Sequence, residues 1–120
     1  MRDTQKNFYK KLLGSKGERI AEKYLKKKGY SIIKRNYVTY YGEADIVAAL
    51  DDVIVFVEVK TRTNEKFGRP CEAVDFRKQE KYRRIAEYFF FENKIDQIGI
   101  RFDVIEVLGD EINHIEDAFQ

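Results

Sequence analysis

Hydrophobic and polar positions change period several times along the chain, and each change marks an element. Ile20, Ala21, Tyr24 and Leu25 recur at helical spacing. Ser15-Lys16-Gly17-Glu18 just before them has the form of a capping box, so a helix is predicted to open there and to stop at Gly29. From Tyr30 to Tyr37 the pattern alternates and is rich in Ile, Tyr and Val, as in a strand. Gly42–Leu50 and Val53–Lys60 read as two more strands, joined by Asp51-Asp52 in a tight hairpin. Residues 61–71, with Gly68 and Pro70, read as a loop. A long helix is predicted from Glu72 to Asn93, with Val74, Tyr82, Ile85, Ala86 and Phe89 on its apolar side. Its other face carries Arg77, Lys78, Lys81 and Arg84. Ile98–Leu108 alternates again, and Ile112–Ile115 reads as a short final strand. The order is α/β, with a mixed sheet flanked by helices.

Val53-Ile54-Val55-Phe56-Val57 is apolar at every position, which predicts a central strand covered on both faces. With Asp51 and Asp52 as the loop, Leu50 opposes Val53, and the same register sets Asp45 opposite Glu58 and Glu43 opposite Lys60. Strand alternation then sends Glu43, Asp45, Glu58 and Lys60 to one face at one end of the hairpin. The other face carries Ala44, Ile46, Ala48, Leu50 and the four valines 53, 55, 57 and 59. Adjacent carboxylates repel, which raises a proton affinity or recruits a cation. Hard oxygen donors without sulfur or imidazole suit Mg²⁺ or Mn²⁺. A cross-strand ion-pair cluster, Glu43 with Lys60, is the structural alternative.

Composition narrows the field. A chain of 120 residues accommodates one domain, here residues 14–120 after a flexible segment at 1–13. One cysteine, Cys71, excludes an internal disulfide framework, and one histidine, His114, argues against triad or histidine-rich metal chemistry; His114 reads as structural. No apolar run approaches the ~18 residues of a membrane span, and no secretory signal is apparent, so a cytoplasmic protein without a membrane partner is expected. The net charge of +2 conceals a segregation: residues 1–35 hold 12 Lys/Arg against 3 Asp/Glu, and residues 85–120 hold 2 against 9. A basic face of this kind attracts phosphates.

Asp45 followed by Glu58-Val59-Lys60 on the next strand resembles the PD-(D/E)xK core of restriction-endonuclease-like nucleases. Gly42-Glu43-Ala44-Asp45, Phe56-Val57-Glu58-Val59-Lys60-Thr61-Arg62 and Arg101-Phe102-Asp103 are similar to the signature of the YraN-like family of small bacterial proteins, over about Gly14 to Phe119. Ala44 replaces the larger aliphatic residue usual there, which bears on packing and not on the proposed ligands.

The resemblance implies an αβββαβ core and a hydrolase: a Mg²⁺- or Mn²⁺-dependent endonuclease acting on DNA, branched or structured DNA included. Asp45, Glu58 and the Val59 backbone carbonyl would hold the metal, and Lys60 would position the attacking water. Glu18 would complete the site from the first helix, although its place in the capping box gives it a structural alternative; Glu22, one turn on, competes for that duty. Glu43 would act around the ligands, and Arg62, Lys78 and Lys81 would contact phosphate. Tyr37, Tyr40 and Tyr41 are candidates for base stacking or for packing at the sheet end. Tyr88–Phe91 reads as core or as a homodimer contact, core being preferred. A nucleic-acid-binding protein of the same fold without cleavage, a partner in repair, recombination or DNA uptake, is the alternative function.

Overall fold

The computed structural model describes the backbone of residues 2–62 and 74–120, and side chains from residue 11 within those ranges. Cys71, Gly68, Pro70 and the predicted start of the second helix lie outside the described residues. The elements are α1 (Arg2–Lys27), β1 (Ser31–Thr39), β2 (Gly42–Leu50), β3 (Val53–Arg62), α2 (Phe76–Glu92), β4 (Gly99–Leu108) and β5 (Glu111–Phe119). The strands form one sheet in the order β1-β2-β3-β4-β5. Only β3 and β4 are parallel; the remaining neighbours are antiparallel. A parallel pair needs a crossover, and α2 lies on the segment between β3 and β4.

Among the described residues, each face of the sheet is covered by one helix. Ala21 and Leu25 of α1 pack on Ile46, Ala48, Val55, Val57, Ile105 and Val107. Tyr82, Ile85, Ala86 and Phe89 of α2 pack on Val47, Ile54, Phe56, Phe102, Val104 and Phe119. The predicted two-sided burial of β3 is therefore found, with odd positions toward α1 and even positions toward α2.

Gly29 ends α1 as its sequence position suggests. It adopts φ 96°, and Tyr30 N donates back to Leu25 O (3.0 Å) while Gly29 N donates to Lys26 O (3.0 Å), a pattern that needs a left-handed residue at this point. The start of α1 differs from expectation. The helix begins at Arg2, so Ser15 and Glu18 lie in its interior and form no capping box. Gly17 has another use there: a Cβ on it would stand 2.1 Å from Thr61 Oγ1. Its bare backbone lets α1 settle on the end of β3.

Two further differences concern the strand ends. β5 runs nine residues rather than four, because its antiparallel ladder with β4 continues from Leu108↔Glu111 to Phe102↔Phe119 past an irregularity. The Tyr88–Phe91 stretch divides: Phe89 is buried and Phe90 packs beside the core, whereas Tyr88 is exposed and Phe91 is 82% exposed.

Candidate metal and nucleic-acid site at the parting of two strands

The β2–β3 hairpin has the predicted register from Leu50↔Val53 to Ile46↔Val57, and there it stops. Beyond that pair the Asp45 carboxylate takes over, its Oδ2 accepting the Val59 amide at 2.8 Å. The expected pairing of Glu43 with Lys60 is absent; Glu43 instead lies opposite Val38 on β1. The strict alternation expected of β2 also fails. Ala44 faces α2 while Ile46 and Ala48 face α1, because the β1–β2 ladder is interrupted at Asn36, which has φ 48°, and Asp45. At this local break the Asp45 side chain turns sideways toward β3, where its carboxylate takes the place of a backbone acceptor.

Glu58 meets that carboxylate from β3 and is only 4% exposed. Asp75 caps α2 by accepting the Lys78 amide (2.9 Å), which sets where the helix starts. Lys78 and Tyr82, four residues apart and therefore on one helical face, both reach Glu58. The Tyr82 hydroxyl donates to Glu58 Oε1 (3.1 Å), and the Lys78 ammonium contacts Oε2. Lys60 Nζ stands 3.9 Å from the same Oε2. That oxygen is buried and accepts no hydrogen bond of ordinary geometry.

Glu18 approaches from α1. It shares a cleft of about 170 Å³ with Asp45, Glu22, Arg35 and Asn36. With the Asn36 amide oriented so that its nitrogen meets the two carboxylates, Nδ2 donates to Glu18 Oε1 and to Glu43 Oε1, each at 3.0 Å. Glu22 lines the same cleft but is neutralised by Arg35 and lies 4.0 Å from Lys26.

The cluster is electrostatically tense. Burial, the contact with Glu58 and the charge of Glu18 push Asp45 up to about 8. Burial and the charges of Glu43 and Glu58 raise Glu18 as well, against the Asn36 hydrogen bond. Burial lowers Lys60, and the neighbouring Lys78 charge adds to that effect. Burial pulls Lys78 down as well, but the Glu58 carboxylate outweighs it, so its pKa rises.

A divalent cation fits this donor set. The oxygens are hard, and two close carboxylates compete for protons. A strand residue points its N–H and C=O toward the same neighbour. Since the Val59 amide meets Asp45, its carbonyl faces the same side.

Other candidates are placed differently. Arg62 is turned toward a carboxylate: its Nε donates to Glu106 Oε2 (3.0 Å), its terminal nitrogen lies 2.9 Å from the same atom, and Glu106 is fully buried. Lys81 lines a groove of about 400 Å³ with Gly42, Glu43, Arg77 and Lys78. The Tyr37 hydroxyl donates to Glu92 Oε1 (3.0 Å) beneath α2, which removes it from base stacking; Tyr40, 97% exposed, and Tyr41 stay at the surface. Sequence reasoning missed Asn36 and the Tyr82 hydroxyl. Tyr82 was legible only as a core position, and Asn36 carried no signal.

A second cluster ties the far side of the sheet to α1. Asp103 is fully buried and accepts from Arg101 through both oxygens (2.8 and 2.7 Å) and from the Asp117 amide (3.0 Å). His114 spans Asp103 Oδ2 (2.7 Å) and the Tyr24 hydroxyl (3.0 Å), satisfied by the tautomer protonated at Nε2. Ligand atoms of Asp103, His114 and Glu116 lie within 4.8 Å of one another and could hold a metal ion. Arg101 already supplies the positive charge there, so the group is complete as an ion-pair network. Among the described residues no helix is long and apolar enough to cross a membrane.

Fold and site define a small α/β protein: among the described residues, a five-stranded mixed sheet with one helix on each face and a carboxylate–lysine cluster where two strands part. The chain belongs to uncharacterised protein family UPF0102, whose profile matches residues 17–107. It is 49% identical over 108 residues to a UPF0102 protein of Clostridioides difficile strain 630, covering 88% of this chain and 95% of the relative. It is 50% identical over 115 residues to one from Alkaliphilus oremlandii (91% and 98%), and 46% identical over 121 residues to one from Caldanaerobacter subterraneus subsp. tengcongensis (95% and 99%).

Proposed function

We propose that this protein is a metal-dependent nuclease that hydrolyses phosphodiester bonds in DNA, with branched or structured DNA as the substrate class suggested by its resemblance to restriction-endonuclease-like proteins. The observation that carries the reading is the convergence of Asp45, Glu58 and Lys60 at the parting of β2 and β3, with Glu18 brought alongside by α1. Asp45, Glu58 and the Val59 carbonyl would hold Mg²⁺ or Mn²⁺. The cation supplies polarisation of a phosphate oxygen and acidification of water. Asp45 is fixed by the Val59 amide and Glu58 by the Tyr82 hydroxyl, so both carboxylates are oriented before a cation arrives. Lys60, held near Glu58, orients the attacking water and offsets charge developing on the phosphate. The charge of Glu18 raises the proton affinity of Asp45, and Glu18 would add negative charge at the metal. Lys81 and the exposed basic residues of α1 supply phosphate contacts without sequence preference.

The test is cleavage of labelled junction, flap, single-stranded and duplex DNA in Mg²⁺, Mn²⁺ or EDTA, with Lys60→Ala purified in parallel. Metal-dependent cutting that the variant lacks is expected. A non-cleaving nucleic-acid-binding protein is the second reading, and the Lys78–Glu58 ion pair favours it because that pair neutralises Glu58 without a metal. Salt-sensitive binding with no cutting in any metal would select it.

A further inference from the structure

Glu58 Oε2 faces two ammonium groups, Lys78 in contact and Lys60 at 3.9 Å. They differ in kind. Lys60 sits two residues away on the same strand, and its direction is set by the β3 backbone. Lys78 reaches in from the first turn of α2 on a flexible four-carbon stem, with two-fifths of its side chain exposed beside the groove that holds Lys81 and Arg77. Tyr82, one turn on, holds the other oxygen of Glu58 at 3.1 Å, so the carboxylate keeps its place if Lys78 leaves.

We propose that Lys78 is an exchangeable counter-ion: it holds Glu58 Oε2 in the metal-free protein, yields it to a divalent cation, and turns into the Lys81 groove to take a nucleic-acid phosphate. The inference rests on the nuclease reading of the same site and adds a residue whose partner changes with metal occupancy. An ammonium and a divalent cation compete for one carboxylate oxygen, since their charges repel when both lie against it. Displacing Lys78 therefore costs part of the metal's binding energy. The freed ammonium regains a partner only when a phosphate is present, so metal and DNA favour one another by the same factor in both directions.

Mn²⁺ binding without DNA, followed by electron paramagnetic resonance at fixed ionic strength, tests the exchange in wild type, Lys78→Met, Lys81→Met and Glu58→Gln. Met keeps the length and apolar stem of Lys. Lys78→Met is expected to bind Mn²⁺ roughly tenfold more tightly, and Lys81→Met, which removes the same charge without touching Glu58, to stay within about twofold of wild type. Equal or weaker binding by Lys78→Met, or an equal gain in Lys81→Met, overturns the exchange and leaves the metal site standing. No Mn²⁺ binding by wild type or Lys78→Met, or full binding by Glu58→Gln, overturns the metal reading and the exchange together. Fluorescence anisotropy with DNA gives the second readout: Ca²⁺ should tighten binding more in wild type than in Lys78→Met. An equal Ca²⁺ effect in the two proteins overturns the phosphate half of the proposal.

Discussion

The carboxylate of Asp45, not its backbone, accepts the amide of Val59 at 2.8 Å. One side chain here ends a hairpin ladder that is regular from Leu50↔Val53 to Ile46↔Val57. An amide released by the parting strands needs an acceptor, and Asp45 provides it while its remaining lone pairs face Glu58 and Glu18.

The metal-free protein should lose stability as pH rises from about 5 to about 8. Asp45 binds its proton more tightly folded, where it titrates near 8, than unfolded, near 3.8. Between those values the native state therefore carries the extra proton, and deprotonation disfavours it. Thermal melts in EDTA should show Tm falling across this range. Asp45→Asn keeps an acceptor for Val59 and carries no charge, so its Tm should be flatter with pH and gain nothing from added Mg²⁺. A wild-type Tm independent of pH would contradict the assigned proton affinity.

Lys60→Met should lower cleavage by roughly two to four orders of magnitude, the scale of a lost acid–base or water-orienting group. Its Tm should change little, because the residue sits half-buried at a sheet end and keeps its apolar stem. Unchanged cutting would remove Lys60 from the mechanism.

Two glycines of α1 should respond in opposite directions to alanine. At Gly14 nothing lies within 4 Å of an added Cβ, and the better helix former should stabilise by about 0.5–1 kcal/mol. At Gly17 the Cβ would collide with Thr61 Oγ1, so Gly17→Ala should cost about 1–3 kcal/mol by overpacking. It should also reduce activity, since the helix that moves away carries Glu18. Denaturant unfolding of both variants distinguishes helix propensity from close approach.

Arg62 and Lys81 should separate stability from binding. Among the described residues, Arg62→Ala leaves the buried Glu106 with only the Asn113 amide (2.9 Å) as partner, a loss of about 3–5 kcal/mol on the scale of a broken buried pair. Lys81→Ala should leave Tm unchanged while weakening DNA binding and its salt dependence. The reverse assignment, with Arg62 the binding residue, would show as a stable Arg62→Ala that binds poorly.

Asp103 should make the protein acid-sensitive. Burial alone would raise its pKa, but hydrogen bonds from His114, Arg101 and the Asp117 amide outweigh burial and hold it below the ordinary range. The stability it contributes is present above its unfolded pKa and is lost as pH falls through the folded value. Asp103→Asn takes from Arg101 its buried carboxylate and leaves it Glu116 (3.3 Å) and the Tyr30 hydroxyl, so the variant should unfold at lower denaturant concentration at pH 7, with a weaker response below about pH 4. Added EDTA should change neither behaviour, because Arg101 supplies the positive charge that this network needs.

Much of the candidate site was legible because strand alternation and a two-residue turn are local. Once Leu50 is set against Val53, the register places Asp45, Glu58 and Lys60 at one end of the hairpin. Positions on β3 kept their predicted faces because its parallel ladder with β4 is unbroken from Val53↔Gly99 to Arg62↔Leu108. β2 did not: Asn36 and Asp45 break the ladder with β1, and a single irregularity reverses which side each following residue faces. Ala44 consequently fell on the α2 side, and Glu43 met Asn36 rather than Lys60.

The sequence by itself determined the element order, the apolar strand buried on both faces, the hairpin register and the residue types able to hold a hard cation. These follow from periodicity and turn length, properties of neighbouring residues along the chain. Tertiary structure alone decided the partners of each charge. It spent Arg62 on Glu106, Glu22 on Arg35 and Tyr37 on Glu92, and it carried Lys78 and Tyr82 from α2 onto Glu58. Such pairings depend on where a helix lands on a sheet, and buried charges take whichever partner that packing brings within reach.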